Sequence, residues 1–300
     1  MKANLSASIL ARLLDLARQR GDDYNLLLNR FALERLLCRV AASPHADRFL
    51  LKGALLFSLW YEQPHRPTRD ADLLGFGPDD AETLIATFRD IAAIDMDDGI
   101  AFDPQSVRAD SIRDDNVYGG LRVRLTGRID NVRCALQIDV GFGDAVTPEP
   151  QTVVFPVLLA DLAAPSLKVY PVYTVISEKY HAMTILGLAN TRMKDFFDIA
   201  TIARRTDLDG ATLARAIGAT FARRGTALPT HAPVALTGAF GEDDAKHRQW
   251  QAFLRKGRID AGTLAETVDL LHVLLWPATQ VAVSTSDANA TWQARQLRWA

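Results

Sequence analysis

The chain has 300 residues, with 34 Lys and Arg against 36 Asp and Glu, a formal net charge of −2, and 48% hydrophobic content. This composition is that of a globular chain long enough for one large domain or two ordinary ones, and it leaves no global basic field, so any nucleic-acid contact must come from local patches. The two cysteines, Cys38 and Cys134, lie far apart in apolar settings without a CxxC spacing, which argues against a disulfide framework or a zinc site and for buried thiols in a reducing cytoplasm.

The first stretch, MKANLSASILARLLDLARQRG, carries charges throughout and reads as an amphipathic helix rather than a signal peptide, with Leu5, Ile9, Leu13 and Leu16 on one face. No window approaches about 18 uncharged apolar residues, so no membrane span is expected. A second helix is expected from Tyr24 to Ala42, with Leu28, Phe31, Leu36 and Val40 as core positions and Ser43-Pro44 as its stop. Next comes a short apolar strand ending at Lys52-Gly53-Ala54, a helical run from Leu55 to Tyr61, a polar turn from Pro64 to Arg69, and a strand beginning Asp70-Ala71-Asp72. Asp79-Asp80 opens a helix over 81–93.

From Ile100 to Val154 the pattern changes to strands. Leu121 to Leu125 alternates with its arginines on one face, and Val132 to Val140 alternates with Gln137 and Asp139 on the other side from Leu136 and Ile138. Turns are expected over 116–120 and 126–131, and Gly141-Phe142-Gly143 would allow close backbone approach to a ligand. Residues 145–173 hold five prolines and read as a crossing segment with one or two short edge strands. Helices are then expected over 175–188, 191–205, 210–223, 243–256 and 261–276, with a tail helix near 288–298.

Residues two apart on a strand share a face, so Asp70 and Asp72 point the same way. Two such carboxylates read equally as a solvated strand start or as ligands of Mg²⁺, a hard cation that often bridges carboxylates to phosphates. If the strand ending in Asp139 lies beside Asp70-Ala71-Asp72, three carboxylates gather on one sheet face, a geometry suited to metal-assisted attack on a triphosphate. Lys52-Gly53 is either a plain tight turn or a place where backbone N–H groups meet phosphate. Arg66, Thr68 and Arg69 would suit a polyphosphate, or Arg69 pairs with Asp70 or Asp72. Lys179 reads as a phosphate clamp or as a neighbour of Glu178 on a solvated face. In Arg192-Met-Lys-Asp195-Phe-Phe-Asp198, a surface Lys194–Asp198 pair is the default, with Asp195 beside Arg192. The six histidines show no ligand spacing, and the tryptophans read as packing or interface residues.

Taken in order, ALERLLCRV (32–40), FLLKGALLF (49–57), RPTRDADLLG (66–75), LQIDVGFGD (136–144), YTVISEKYHAM (173–183) and RMKDFFDIATI (192–202) resemble the nucleotidyltransferase AbiEii toxin family, within the DNA polymerase β-like nucleotidyltransferase superfamily. The resemblance implies an α+β fold: a nucleotidyltransferase core with a mixed β-sheet flanked by helices (1–172) and an α-helical C-terminal half (173–300) that completes the active site. It implies that Asp70, Asp72 and Asp139 bind Mg²⁺ or Mn²⁺, with Asp139 the candidate base. It places Thr68 at a family Ser/Thr position, Lys179 on the triphosphate, and Asp195 in a KD pair needed for activity. Lys52, Gly53, Arg66, Thr68, Arg69 and Lys179 would then contact the nucleotide. Ala54 departs from the Gly-Gly or Gly-Ser many nucleotidyltransferases carry, which removes one phosphate contact and leaves the backbone donors. The resemblance further implies a cytoplasmic toxin of a toxin–antitoxin or phage-defence system, with an NTP donor, an RNA acceptor such as the tRNA 3′ end, and an antitoxin encoded by a neighbouring gene. Arg122, Arg124, Arg128, Arg133, Arg204-Arg205 and Arg223-Arg224 are either RNA-facing or solvated. Two alternatives stay open: transfer to a protein or small molecule, and a non-catalytic nucleotide- or antitoxin-binding module.

Overall fold

The computed structural model describes residues 2–61, 66–112, 119–284 and 290–300. Pro64 and His65 of the expected polar turn, and residues 116–118 of the turn before β4, lie outside the described residues. The chain divides into two compact units, one formed by residues 1–143 and 151–170, the other by 144–150 and 171–300.

The first unit opens with α1 (Lys2–Arg20), which buries Ile9, Leu13 and Ala17 at i, i+4, i+8 spacing and ends at Gly21 with φ +69°. Helix α2 (Tyr24–Ala42) is capped by the Asp23 carboxylate, which accepts from the Leu26 N–H. Strand β1 (Phe49–Lys52) leads into a 3₁₀ turn over Gly53–Leu56 and the short α3 (Phe57–Trp60). Strand β2 (Asp70–Gly75), helix α4 (Ala81–Ala93) and strands β3 (Ala101–Ser111), β4 (Gly120–Ile129) and β5 (Val132–Phe142) follow, and β6 (Gln151–Val154) and β7 (Ser166–Val169) complete the unit. The expected turn over 126–131 is narrower than its polar residues suggested. Thr126–Ile129 continue β4, and Asp130, with φ +50°, makes the reversal to β5. The seven strands form one mixed sheet in the order β3-β4-β5-β2-β1-β7-β6. β7 is therefore no edge strand: it lies parallel to β1 and antiparallel to β6.

Helix α2 carries charges into the core of this unit. Arg39, 1% exposed, donates to both oxygens of Asp98 at 2.7 and 3.0 Å and to the carbonyls of Arg35, Ile94 and Ile100, with its guanidinium 4.7 Å from the Phe102 ring centre. A buried guanidinium with this many acceptors is satisfied, and it ties α2 to the loop that starts β3. Cys38 and Cys134 are free and buried, and burial pushes both thiols above their ordinary range.

The second unit contains α5 (Val172–Leu186), α6 (Met193–Arg205), β8 (Leu208–Asp209), α7 (Gly210–Arg223), α8 (Gly238–Gly241), α9 (Asp244–Gly257), α10 (Leu264–Ser284), β9 (Thr291–Gln293) and β10 (Arg298–Trp299). Helix α10 runs eight residues beyond the expected 276. Its start is a capping box in which the Thr263 hydroxyl accepts from the Glu266 N–H and the Glu266 carboxylate from the Thr263 N–H. It passes through Pro277, whose missing N–H leaves the Val273 carbonyl without its helical donor, and the indole N–H of Trp299 donates to that carbonyl at 3.0 Å. Residues 290–298 of the expected tail helix are instead strand and turn, because Trp292 pairs with Leu208 on one side and Trp299 on the other. Trp292 is fully buried, and its N–H donates to the Ala203 carbonyl.

His181 of α5 is buried between Arg224 and Thr226. The guanidinium can only donate, so His181 Nδ1 is the acceptor and Nε2 carries the proton toward Thr226. Burial first, and Arg224 second, lower this ring from 6.5 to about 4. No helix among the described residues is long and apolar enough to cross a membrane.

Two outcomes follow from these buried groups. Arg39→Ala leaves Asp98 buried without its cation, and urea unfolding should show a loss of about 3–5 kcal/mol. The unfolded chain takes up a proton at His181 below 6.5, whereas the folded chain does so only near 4. The contribution of the neutral ring is thus fully present above pH 6.5 and is lost as the pH falls toward 4. Across that window the melting temperature of His181→Asn should fall less than that of the unmodified protein.

Candidate active site

The in-register pairing of β2 with β5 builds the centre of the site. The two strands run parallel with Asp70 beside Gln137 and Asp72 beside Asp139. Lateral neighbours in a sheet share a face, so Asp70, Asp72 and Asp139 project from the same side while Ala71, Leu73, Ile138 and Val140 go into the core. β1 flanks β2 on its other edge, with Lys52 opposite Asp72.

Gly53 follows Lys52 with φ +75°, a conformation that disfavours any residue with a Cβ. A Cβ placed there would lie 1.8 Å from Asp72 Oδ2, so the Asp72 carboxylate packs directly on the glycine backbone. The Lys52 ammonium sits 5.1 Å from the centre of the Tyr170 ring. Thr68 donates its hydroxyl to Asp70 Oδ1 at 2.6 Å, which turns it to the carboxylate rather than leaving it open for phosphate. Arg66 is half-buried, and Arg69 is exposed beside Asp70.

Asp139 is not a bare strand-end carboxylate. Arg122 on β4 is its cross-strand neighbour and donates to both oxygens, from Nε at 2.8 Å and Nη2 at 2.7 Å. Arg122 is therefore taken up by the candidate site and does not face RNA or solvent alone. Of the other arginines on that face, Arg124 pairs with Asp110 and Arg133 donates to Thr126. Among the described residues, no group of three His, Cys, Asp or Glu side chains converges closely enough to hold an ion.

Within the second unit, Lys179 is no solvated neighbour of Glu178. Its ammonium lies 2.7 Å from Asp195 Oδ1 and 2.8 Å from Asp198 Oδ2. Both carboxylates are fully buried, and Arg192 Nε closes the cluster 2.7 Å from Asp195 Oδ2. Two cations thus balance two carboxylates. Burial alone would raise the Asp195 carboxyl, but Lys179 and Arg192 beside it hold it below its ordinary value. The expected Lys194–Asp198 surface pair is replaced by this arrangement, because α6 turns Asp198 inward and leaves Lys194 exposed. Sequence reasoning missed Asp198 as the second acceptor. The signal was its i+3 spacing from Asp195 inside a run that is otherwise apolar. Arg224 is likewise drawn inward, 3.2 Å from Asp144 Oδ1.

Replacing Gly53 by Ala should combine about 1–2 kcal/mol of left-handed strain with displacement of the Asp72 carboxylate. Any activity that depends on the Asp72 carboxylate should be lost while a folded thermal transition persists. Gly77→Ala is the control: it has a similar φ of +88° but nothing nearer than Arg48 Nε at 3.8 Å, so it should melt slightly earlier and keep that activity.

JHP933 from Helicobacter pylori matches with a TM-score of 0.44 at 16% identity, over 86% of this chain and 94% of that one. A second H. pylori structure, described as a candidate nucleotidyltransferase, matches with a TM-score of 0.44 at 17% identity, over 87% of this chain and 98% of that one. Both likenesses are too distant to bear on function. No curated protein matches the sequence. Residues 35–271 match the family described as nucleotidyl transferase AbiEii toxin of type IV toxin–antitoxin systems, and the chain belongs to that family.

Proposed function

We propose that this protein transfers a nucleoside monophosphate from an NTP to an RNA acceptor, the 3′ end of tRNA, and acts as the toxin partner of an antitoxin encoded beside it. The observation that carries the reading is the shared face of Asp70, Asp72 and Asp139, with the Asp72 carboxylate packed on Gly53. In the reaction the acceptor's 3′ oxygen forms a bond to the α-phosphorus, the bond from that phosphorus to the β-phosphate bridging oxygen breaks, and pyrophosphate leaves. Asp139 is the candidate acceptor of the hydroxyl proton.

The three carboxylates are all hard oxygen donors, the type Mg²⁺ or Mn²⁺ takes. Asp139 gives both oxygens to Arg122 and Asp70 accepts from Thr68, so a cation at all three would require Arg122 to release Asp139. Such an ion would neutralise developing charge on the phosphates. Lys52, Gly53, Arg66 and Arg69 are proposed to line the nucleotide, and the family resemblance assigns the same ligand to Lys179.

Incubation of the purified protein with total tRNA, Mg²⁺ and each α-³²P-labelled NTP tests the reading. Label should appear on tRNA, and Asp70→Ala should reduce it by about 10²–10³-fold with the protein still folded. Label on protein or on a small product would move the acceptor to another class. Nucleotide binding without transfer would refute an enzyme.

A further inference from the structure

The first unit holds a cavity of about 550 Å³ beside Asp70. Its origin lies in strand register. β2 begins at Asp70, opposite Gln137, whereas β5 begins five residues earlier at Val132. Residues 132–136 of β5 therefore pair with β4 on one side and have no strand on the other among the described residues. The unpaired edge forms one wall, and α2 contributes Asn29 to another.

The lining has the chemistry of a nucleotide site. Arg133, and Arg124 beside its partner Asp110, bring two guanidiniums to a space of about the volume that small ligands occupy, and Arg69, proposed above for the NTP, stands where the two nucleotides would meet. Gln137 and Asn29 bring amides. Asn29 donates to the Ala135 carbonyl at 3.4 Å, while its buried side-chain oxygen has no hydrogen-bond partner. The exposed backbone edge adds further donors and acceptors at the spacing of a strand.

Sheet order decides which nucleotide belongs there. The Lys52-Gly53 turn lies on the β1 side of β2, and the cavity lies on the β5 side. In-line displacement puts the attacking oxygen and the departing pyrophosphate on opposite sides of the α-phosphorus. If the triphosphate rests on the β1 side, the attacking hydroxyl arrives from the β5 side.

We infer that the cavity at the open edge of β5 is the acceptor subsite and holds the 3′-terminal nucleotides of a single-stranded RNA end. Arg124 and Arg133 contact its phosphates, and Asn29 and Gln137 contact a base. This rests on the nucleotidyltransferase reading above, and the two can fail separately.

The test uses a 5′-fluorescein oligoribonucleotide with a free 3′ hydroxyl and a fluorescent NTP analogue, each titrated by anisotropy into the full-length protein and its Arg133→Glu variant. Arg133 is exposed, so the fold should persist, and Asn29→Ala is a second variant. Arg133→Glu should weaken oligonucleotide binding at least about tenfold and reduce the slope of log K against log salt by about 0.7, one phosphate contact. NTP binding should stay unchanged in both variants. In transfer assays the acceptor KM should rise in both while the NTP KM holds. Unchanged oligonucleotide affinity, or a parallel loss of NTP binding, would overturn the subsite. Arg133-dependent oligonucleotide binding by a protein that transfers nothing would support the subsite and sink the transferase reading. Transfer to RNA with an unaltered acceptor KM in Arg133→Glu would do the reverse.

Discussion

The parallel register of β2 on β5 governs the chemistry of the first unit. Side-chain direction alternates with every residue along a strand, so a slip of one position would send Asp139 to the opposite face from Asp70 and Asp72. The register is held by what lies beneath it. Ala71, Leu73, Ile138 and Val140 are buried on the other face, and a slip would expose them and bury carboxylates instead. The same register leaves the start of β5 without a neighbour and so opens the cavity beside Asp70. Hydrophobic burial thus sets both the carboxylate face and the space next to it.

Charge pairing holds two of the buried clusters of this chain. Arg39 meets Asp98 in the first unit, and Lys179 and Arg192 meet Asp195 and Asp198 in the second. A lone buried charge is strongly unfavourable, so each appears with a counter-charge and further hydrogen bonds. Arg122 on Asp139 differs in that both groups remain partly exposed, at 32% and 18%. Partial exposure lowers the cost of separating them.

Gly53 shows how a local rule and a tertiary demand meet at one residue. Its φ of +75° accounts for glycine in the turn, and the Asp72 carboxylate against its backbone accounts for it again. The reading of Lys52-Gly53 as a plain tight turn and the reading as part of a site therefore do not compete. Ala54 is compatible with both, because the conformational need falls on the residue before it.

Period and punctuation by themselves determined the elements. The helices over 24–42, 81–93 and 210–223 and the strands starting at Asp70 and Val132 follow from apolar spacing and from caps such as Asp23, Asp80 and Asp209. The carboxylate pair was legible too, since a period of two is local. Tertiary structure decided whatever depends on a distant partner. The end of the chain has the composition of a helix but forms strands, because Trp292 finds its pairing edge at Leu208. Lys179 and Asp198 look like surface residues beside their sequence neighbours and are joined only when α5 packs on α6. Arg122 finds Asp139 across a strand pair that no local pattern specifies. Sequence spacing carries a side chain's direction, but which group it meets depends on how elements far apart in the chain pack to bury their apolar faces.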